Sequence, residues 1–243
     1  MTAESAPPAG APGPGDSALS RIVGVFFSPG RTFESIAERP TWLLPVILWV
    51  LCSVAVSAAL VPRMDFEKMM RERFERSGQK VSDEQLQTIV ERQKRFAPVF
   101  GYFGAVAAPV LISLLVAVIL WGSLRAFGWD TSYPQSLGAT AHAFLPSVVG
   151  SLLLIPLVVR QERVDPSAMG DMLRSNLGFL VERNAKALHS LLGSIDVFSF
   201  WTLALLVIGF AAAAKIRKGQ AAGVILTLWA VYVLGKAGLA ALF

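Results

Sequence analysis

Charged residues are missing from this chain in long stretches. Residues 40–62, 96–124, 131–159 and 197–214 hold no Asp, Glu, Lys or Arg, and 219–243 hold Lys236 alone. A water-soluble helix of that length needs a charged outer face, so these gaps exclude a soluble helical bundle. Each gap supplies roughly 18–25 apolar residues, about the length a helix needs to cross ~30 Å of hydrocarbon. Cysteine is nearly absent too. Cys52 stands alone, which excludes an internal disulfide and a thiolate metal cluster. Histidine occurs only at 142 and 189, and no Glu, Asp, Cys or His lies three or four residues from either, so helical metal-ligand spacing is missing. There is no Asn-x-Ser/Thr acceptor, no phosphate loop and no dinucleotide fingerprint. A secretory signal is not expected, because the first apolar run starts near residue 42. That run is expected to stay in place as its own insertion signal.

What is present fits lipid. The composition is 54% hydrophobic and 16% charged, and mean hydropathy is +0.56. The net charge of +5 suits anionic headgroups better than nucleic acid, since no basic stretch alternates with exposed aromatics. The expected fold is all-α: a polytopic membrane bundle with spans at 42–61, 98–124, 137–159, 197–214 and 221–242. Residues 1–17, rich in Pro, Ala and Gly, read as a disordered tail, and 18–243 as one membrane domain.

Between the spans the pattern is amphipathic. Leu19, Ile22, Val23, Phe26 and Phe27 repeat at helical spacing. Ser28-Pro29 marks a new helix start, with Ser28 as the candidate cap and Phe33 and Ile36 on one face. These two short helices either lie along the membrane surface or pack as a cap on the bundle. Segments 63–97 and 160–196 are charged helical inserts. In the first, Phe66, Met69, Met70 and Phe74 form one stripe, Ser82 and Gln85 a capping box, and Leu86, Ile89 and Val90 a second stripe, which predicts a helical hairpin outside the hydrocarbon. It serves as connector or docking surface. In the second, Met169, Met172, Leu173, Leu177 and Leu180 suit one helix, and Ala185, Leu188, Leu191 and Leu192 another. Asp196 is the expected cap of span four. Pro146 and Pro156 predict bends in span three. Ser53/Ser57, Ala55/Ala59 and Gly219/Gly223 place small residues four apart, a spacing that lets helices approach.

Few residues offer chemistry, and no catalytic, cofactor-binding or metal-binding residue is assigned. His142 reads as a hydrogen-bonding group across the bundle and Ser194 as a helix-start residue. Lys236 lies close enough to the chain end for its stem to reach the far interface. Phe198, Phe200 and Trp201 read as interfacial packing. Ser53, Ser57, Ser113, Thr140, His142, Ser147, Ser151 and Thr227 could line a cavity.

Three segments carry a resemblance: Phe26–Pro40 (FFSPGRTFESIAERP) ahead of span one, Ala143–Pro146 (AFLP) within span three, and Ile195–Leu203 (IDVFSFWTL) opening span four, followed by the basic link Lys215–Gly219. Together they resemble the Yip family of Ypt/Rab-GTPase-interacting membrane proteins, in its bacterial branch, over nearly the whole chain from about residue 20. The resemblance implies five spans, a cytoplasmic N-terminus and a bacterial inner-membrane location. For eukaryotic relatives it implies a role in vesicle traffic through small GTPases. The inserts 63–97 and 160–196 are longer than in the compact eukaryotic members. Lys215, Arg217 and Lys218 also argue for a cytoplasmic link, whereas the many Lys and Arg of 63–97 would then lie outside. The expected function is a non-enzymatic scaffold that recruits protein partners through the N-terminal segment and the 63–97 hairpin, with homo-oligomerisation open. A transporter or channel is the alternative.

Overall fold

The computed structural model describes residues 17–165 and 169–242. The tail expected over 1–17 therefore lies outside them except for Ser17, whose hydroxyl accepts the Ser20 N–H at 3.1 Å and caps the first helix. The helices are α1 (Ala18–Phe27), α2 (Pro29–Glu38), α3 (Leu43–Leu60), α4 (Phe66–Ser77), α5 (Asp83–Ala126), α6 (Tyr133–Ala143), α7 (Leu145–Val159), α8 (Met169–Met172), α9 (Lys186–Leu192), α10 (Val197–Ala214) and α11 (Lys218–Leu242). Among the described residues the only β pairing is two isolated bridges.

Five helical stretches are long and apolar enough to cross a membrane: Leu43–Arg63, Asp83–Ala126, Tyr133–Val159, Val197–Ala214 and Lys218–Leu242. α10 is the hub. Half of its most apolar window is buried inside the protein, against 22–33% for the others. Its Leu203, Leu206 and Phe210 join Leu120 and Leu124 of α5, Ala139 of α6 and Val224 of α11 in one core. The outward faces stay apolar. Leu111 and Leu115 on α5 and Val231 and Leu234 on α11 are each 60–63% exposed. A belt of this kind in water would drive aggregation, and hydrocarbon covers it without cost.

Span three is broken at Phe144, between α6 and α7. Pro146 lies in the first turn of α7, and Phe144 packs on Trp49 with ring centroids 4.9 Å apart. Pro156, by contrast, is carried inside α7 without ending it. α6 begins at Tyr133, four residues before the expected start, because Ser132 and Gln135 form a capping box.

Two faces result. The N-terminal face gathers Ser17, the Arg39–Thr41 link, the 127–132 link and Lys215–Arg217. The opposite, hairpin face gathers 61–97 and 160–196. There α5 runs as one 44-residue helix that includes both the second arm of the hairpin and span two, with Pro98 and Pro109 inside it. Ser82 and Gln85 form the capping box. α4 folds back on α5 through Phe66, Met70, Leu86 and Val90. The end of span one pairs with the chain after span three, since Asp65 N–H donates to the Val164 carbonyl at 3.0 Å and Val164 N–H to the Arg63 carbonyl at 2.7 Å. Lys68 reinforces this joint with Asp165 at 3.2 Å. That hydrogen bond, with the attraction of the carboxylate, raises the Lys68 pKa. On the lysine side the pairing therefore holds through neutral pH and is lost as rising alkalinity removes the proton.

The single helix expected from Met169 to Leu180 is not formed. α8 stops at Met172, Arg174 adopts a left-handed φ of 49°, and the chain then extends to pair Asn176 with Asp196. Asn176 donates to the Gly170 carbonyl at 2.7 Å and accepts the Gly178 N–H at 2.8 Å, which replaces helical bonds with local ones. α9 follows, and Asp196 caps α10 by accepting the Ser199 N–H at 2.9 Å.

The spans place Ser77 and Gln220 on opposite faces. Topology reporters fused at these two sites are expected to report opposite compartments. Signals from one compartment would contradict the five-span fold.

Candidate functional site

The part of the molecule with the most unusual construction is the pair α1–α2. Gly24 of α1 lies against the Thr32 side chain of α2, and the Arg21 guanidinium reaches Ser35 Oγ at 2.9 Å, so the two helices run antiparallel with the turn at Ser28. Ser28 does not cap α2 with its side chain; its carbonyl accepts both the Thr32 N–H and the Thr32 hydroxyl instead.

The pair packs lengthwise on the spans. Phe33 and Ile36 are each 1% exposed. A Cβ placed on Gly209 of α10 would lie 2.9 Å from the Phe33 ring, and one on Gly138 of α6 would lie 3.1 Å from Ile36. Nearer the open end, Gln135 donates to the Ala37 carbonyl at 2.9 Å. Nearer the turn, Phe26 sits edge-on to Trp201 with centroids 5.4 Å apart. Trp201 and Gly209 are separated by about 12 Å of helix rise. The hairpin thus follows α10 with its turn toward the membrane interior. The pair packs on the bundle, as one of the two expected placements has it, but lengthwise along α10 and not as a cap beyond the ends of the spans.

Arg21 locks this arrangement. It is 5% exposed and donates to the Arg39 carbonyl at 2.8 Å, Thr41 Oγ1 at 3.0 Å, and both the carbonyl and the hydroxyl of Ser35. One side chain joins α1, α2 and the lead into α3. The planar fork of Arg matches such dispersed acceptors, and the desolvation of its charge is offset only because they are all in reach. Sequence patterning did not single out Arg21, since an Arg among short amphipathic helices looks like a surface charge.

The outer faces of the hairpin differ in kind. α1 exposes Leu19, Val23 and Phe27 at 56–82%. α2 exposes Arg31, Glu34 and Glu38. A rigid element beside the spans therefore carries an apolar stripe and a charged stripe.

The other residues of chemical interest are dispersed. His142 is 1% exposed, and its Nδ1 lies 2.9 Å from the Gly138 carbonyl, so its bond is within its own helix and not across the bundle. Ser113 donates to the Pro109 carbonyl at 2.7 Å, Ser151 to the Ser147 carbonyl at 2.8 Å, and Ser194 to the Ser190 carbonyl at 2.9 Å. Thr227 faces outward. Ser136, Thr140 and Thr202 keep buried hydroxyls with no partner among the described residues. On the hairpin face, Asp171 meets Arg183 at 3.1 Å and His189 at 3.2 Å, a contact across 18 residues that helical spacing did not anticipate. Among the described residues no group of three or more metal-ligating side chains occurs. Lys236 is partly exposed in α11, six residues before that helix ends.

Two substitutions test the seat and the lock. Gly209→Ala is expected to destabilise by about 1–3 kcal/mol through overpacking against Phe33, with Phe33→Leu recovering part of the loss. Gly223→Ala, where nothing lies within 4 Å, is expected to be neutral or slightly stabilising. Arg21→Ala is expected to cost about 2–4 kcal/mol, and Arg21→Lys to restore only part of it. Thermal midpoints in detergent measure both. Full recovery by lysine would contradict the fork geometry.

Comparison with known proteins agrees with this architecture. A sequence model of the Yip1 domain matches residues 23–239. The chain is similar to Membrane protein YknW of Bacillus subtilis (strain 168), at 26% identity over 199 residues, covering 81% of this chain and 80% of the relative. No solved structure matches. The match runs from the middle of α1 almost to the end of α11, and the chain belongs to the Yip1 domain family of multi-pass membrane proteins.

Proposed function

We propose that this protein is a non-enzymatic scaffold of the bacterial inner membrane that recruits protein partners, with its N-terminal face in the cytoplasm. The observation that carries the reading is the α1–α2 hairpin. Its inner face is fixed by Phe33, Ile36 and Arg21, while Arg31, Glu34 and Glu38 stay exposed beside the spans. Charged side chains at membrane level are costly unless they find partners, and a complementary charged segment of another protein supplies them. The cap formed by α4 and the start of α5 is a second surface, on the opposite face; its Phe66 and Met70 are used up in packing α4 on α5, so its outer side is charged.

Several of the candidates for chemistry, Ser113, His142, Ser151 and Ser194, bond to carbonyls of their own segments, which supports a non-catalytic role. The basic link at Lys215, Arg217 and Lys218 supports a cytoplasmic N-terminal face. The Lys and Arg of 63–97 pull the other way, although several of them, such as Lys68 and Arg71, are ion-paired.

One observation favours a second reading, a small-molecule or ion transporter or channel. The buried hydroxyls of Ser136, Thr140 and Thr202, lacking partners, are the kind of group that would face a passing solute.

A photo-crosslinking residue at Glu34 in native membranes tests recruitment. The expected result is a discrete adduct with another protein, lost when Arg31 and Glu38 are both charge-reversed. An adduct with lipid alone would contradict recruitment, and saturable solute uptake into liposomes containing only this protein would favour the transporter.

A further inference from the structure

A cavity of about 660 Å³ opens on the N-terminal face where α5 ends, α6 begins and α10 stops. It is independent of the recruiting surface on α2. Its construction starts from the short 127–132 link. Gly128, at φ 79°, turns the chain, and the Trp121 indole N–H donates to the Thr131 carbonyl at 3.1 Å, drawing the link back over α5. Trp121 then meets Tyr133 edge-on at 6.1 Å. Across the opening, α10 ends at Lys215, which takes a left-handed φ of 53°, a position where glycine is usual.

The lining sorts by chemistry. Arg125 and Lys215 supply positive charge from two different helix ends, and Asp130 supplies one negative charge. Asp130 holds Arg125 at 2.9 Å but is itself 99% exposed, and the guanidinium keeps further donors. Lys215 pairs with no carboxylate among the described residues. The first turn of α6 also lines the cavity and is closed by the Ser132–Gln135 capping box, while α5 and α10 present their C-terminal ends, so the attraction for an anion comes from the two side-chain cations. Thr131 supplies the independent sign of a ligand: it is 4% exposed, and its Oγ1 has no hydrogen-bond partner. The floor is Ala213 and Ala214, the last turn of a span, and Trp121 and Tyr133 are the aromatic types of the membrane interface.

A hydroxyl and two cations line one polar opening, with aromatic and apolar walls at the ends of the spans. We propose that this cavity binds the phosphodiester headgroup of an anionic membrane phospholipid. Arg125 and Lys215 hold the phosphate oxygens, and the buried Thr131 hydroxyl reaches one of them by a change of side-chain rotamer. Trp121 and Tyr133 flank the glycerol and the first acyl carbons. The single excess positive charge of the site matches a monoanionic headgroup.

Native mass spectrometry of the full-length chain in detergent tests this, with phosphatidylglycerol, phosphatidylcholine and inorganic phosphate as separate probes. The expected result is retention of one phosphatidylglycerol in preference to phosphatidylcholine. Arg125→Gln with Lys215→Gln is expected to weaken retention by about tenfold or more, and Thr131→Val by about threefold to tenfold. Asp130→Asn, which keeps the size of a fully exposed side chain and removes its charge, is expected to strengthen retention by freeing Arg125. Equal retention of both lipids, or unchanged phosphatidylglycerol binding in the double variant, would overturn the proposal. So would loss of the Asp130→Asn gain. Displacement of the lipid by millimolar inorganic phosphate would assign the site to a soluble anion and overturn it as well.

Discussion

Hydrocarbon offers no hydrogen bonds, and most of this structure follows from that constraint. Every backbone amide at membrane depth has to be satisfied within the protein, which leaves helices as the form of all five spans. Several polar side chains obey the same rule, although the buried hydroxyls of Ser136, Thr140 and Thr202 do not. Ser113, Ser151 and His142 turn back to carbonyls of their own helices. The one interruption of a span, at Phe144, occurs where its neighbours Ala143 and Leu145 are 0–2% exposed and Trp49 covers the break. Irregular backbone is tolerated there because protein, and not lipid, surrounds it.

The same solvent removes most of the hydrophobic drive between helices, since a lipid tail is as apolar as leucine. Close contact and polar bonds must then hold the bundle together. The hairpin shows both. Gly209 admits the Phe33 ring to the surface of α10, Gly138 admits Ile36 to α6, and Arg21 of α1 binds oxygens of α2 and of the Arg39–Thr41 link. This explains how two helices of ten residues each, too short to cross the bilayer, keep a defined place beside it. It also explains how α2 holds an exposed charged stripe beside the spans.

Much of the fold was legible because lipid imposes a simple rule on sequence. Charge-free runs located the spans, and the capping residues Ser82 and Asp196 located two helix starts. The amphipathic stripes of α4 and α5 indicated the hairpin that the structure forms. What escaped the reading depended on partners distant in the chain. Phe33 and Ile36 announced a buried face but not what buried it, since their seats are single glycines about 100 and 180 residues away, with no spacing to mark them. Gly219 and Gly223 had the expected spacing, yet nothing packs within 4 Å of either. The segment from Met169 to Leu180 had helical periodicity, but pairing of Asn176 with Asp196 won over it. Local pattern predicts local structure, and tertiary pairing overrides it where a distant strand-like partner is available. The cavity beside Arg125 and Lys215 was likewise hidden, because it joins the ends of three helices.

The two faces of the protein therefore differ in design. The N-terminal face has a packed hairpin and a polar cavity, and the opposite face carries an elevated helical hairpin tied down by ion pairs. Both rest on a belt that only lipid can cover. Spin labels in reconstituted bilayers test that belt most directly, with one label at Leu115 on α5 and a second at Gln87 on the same helix. The account predicts that Leu115 collides with dissolved oxygen and is shielded from a water-soluble nickel chelate, and that Gln87 shows the reverse. Free access of the chelate to Leu115 would contradict it.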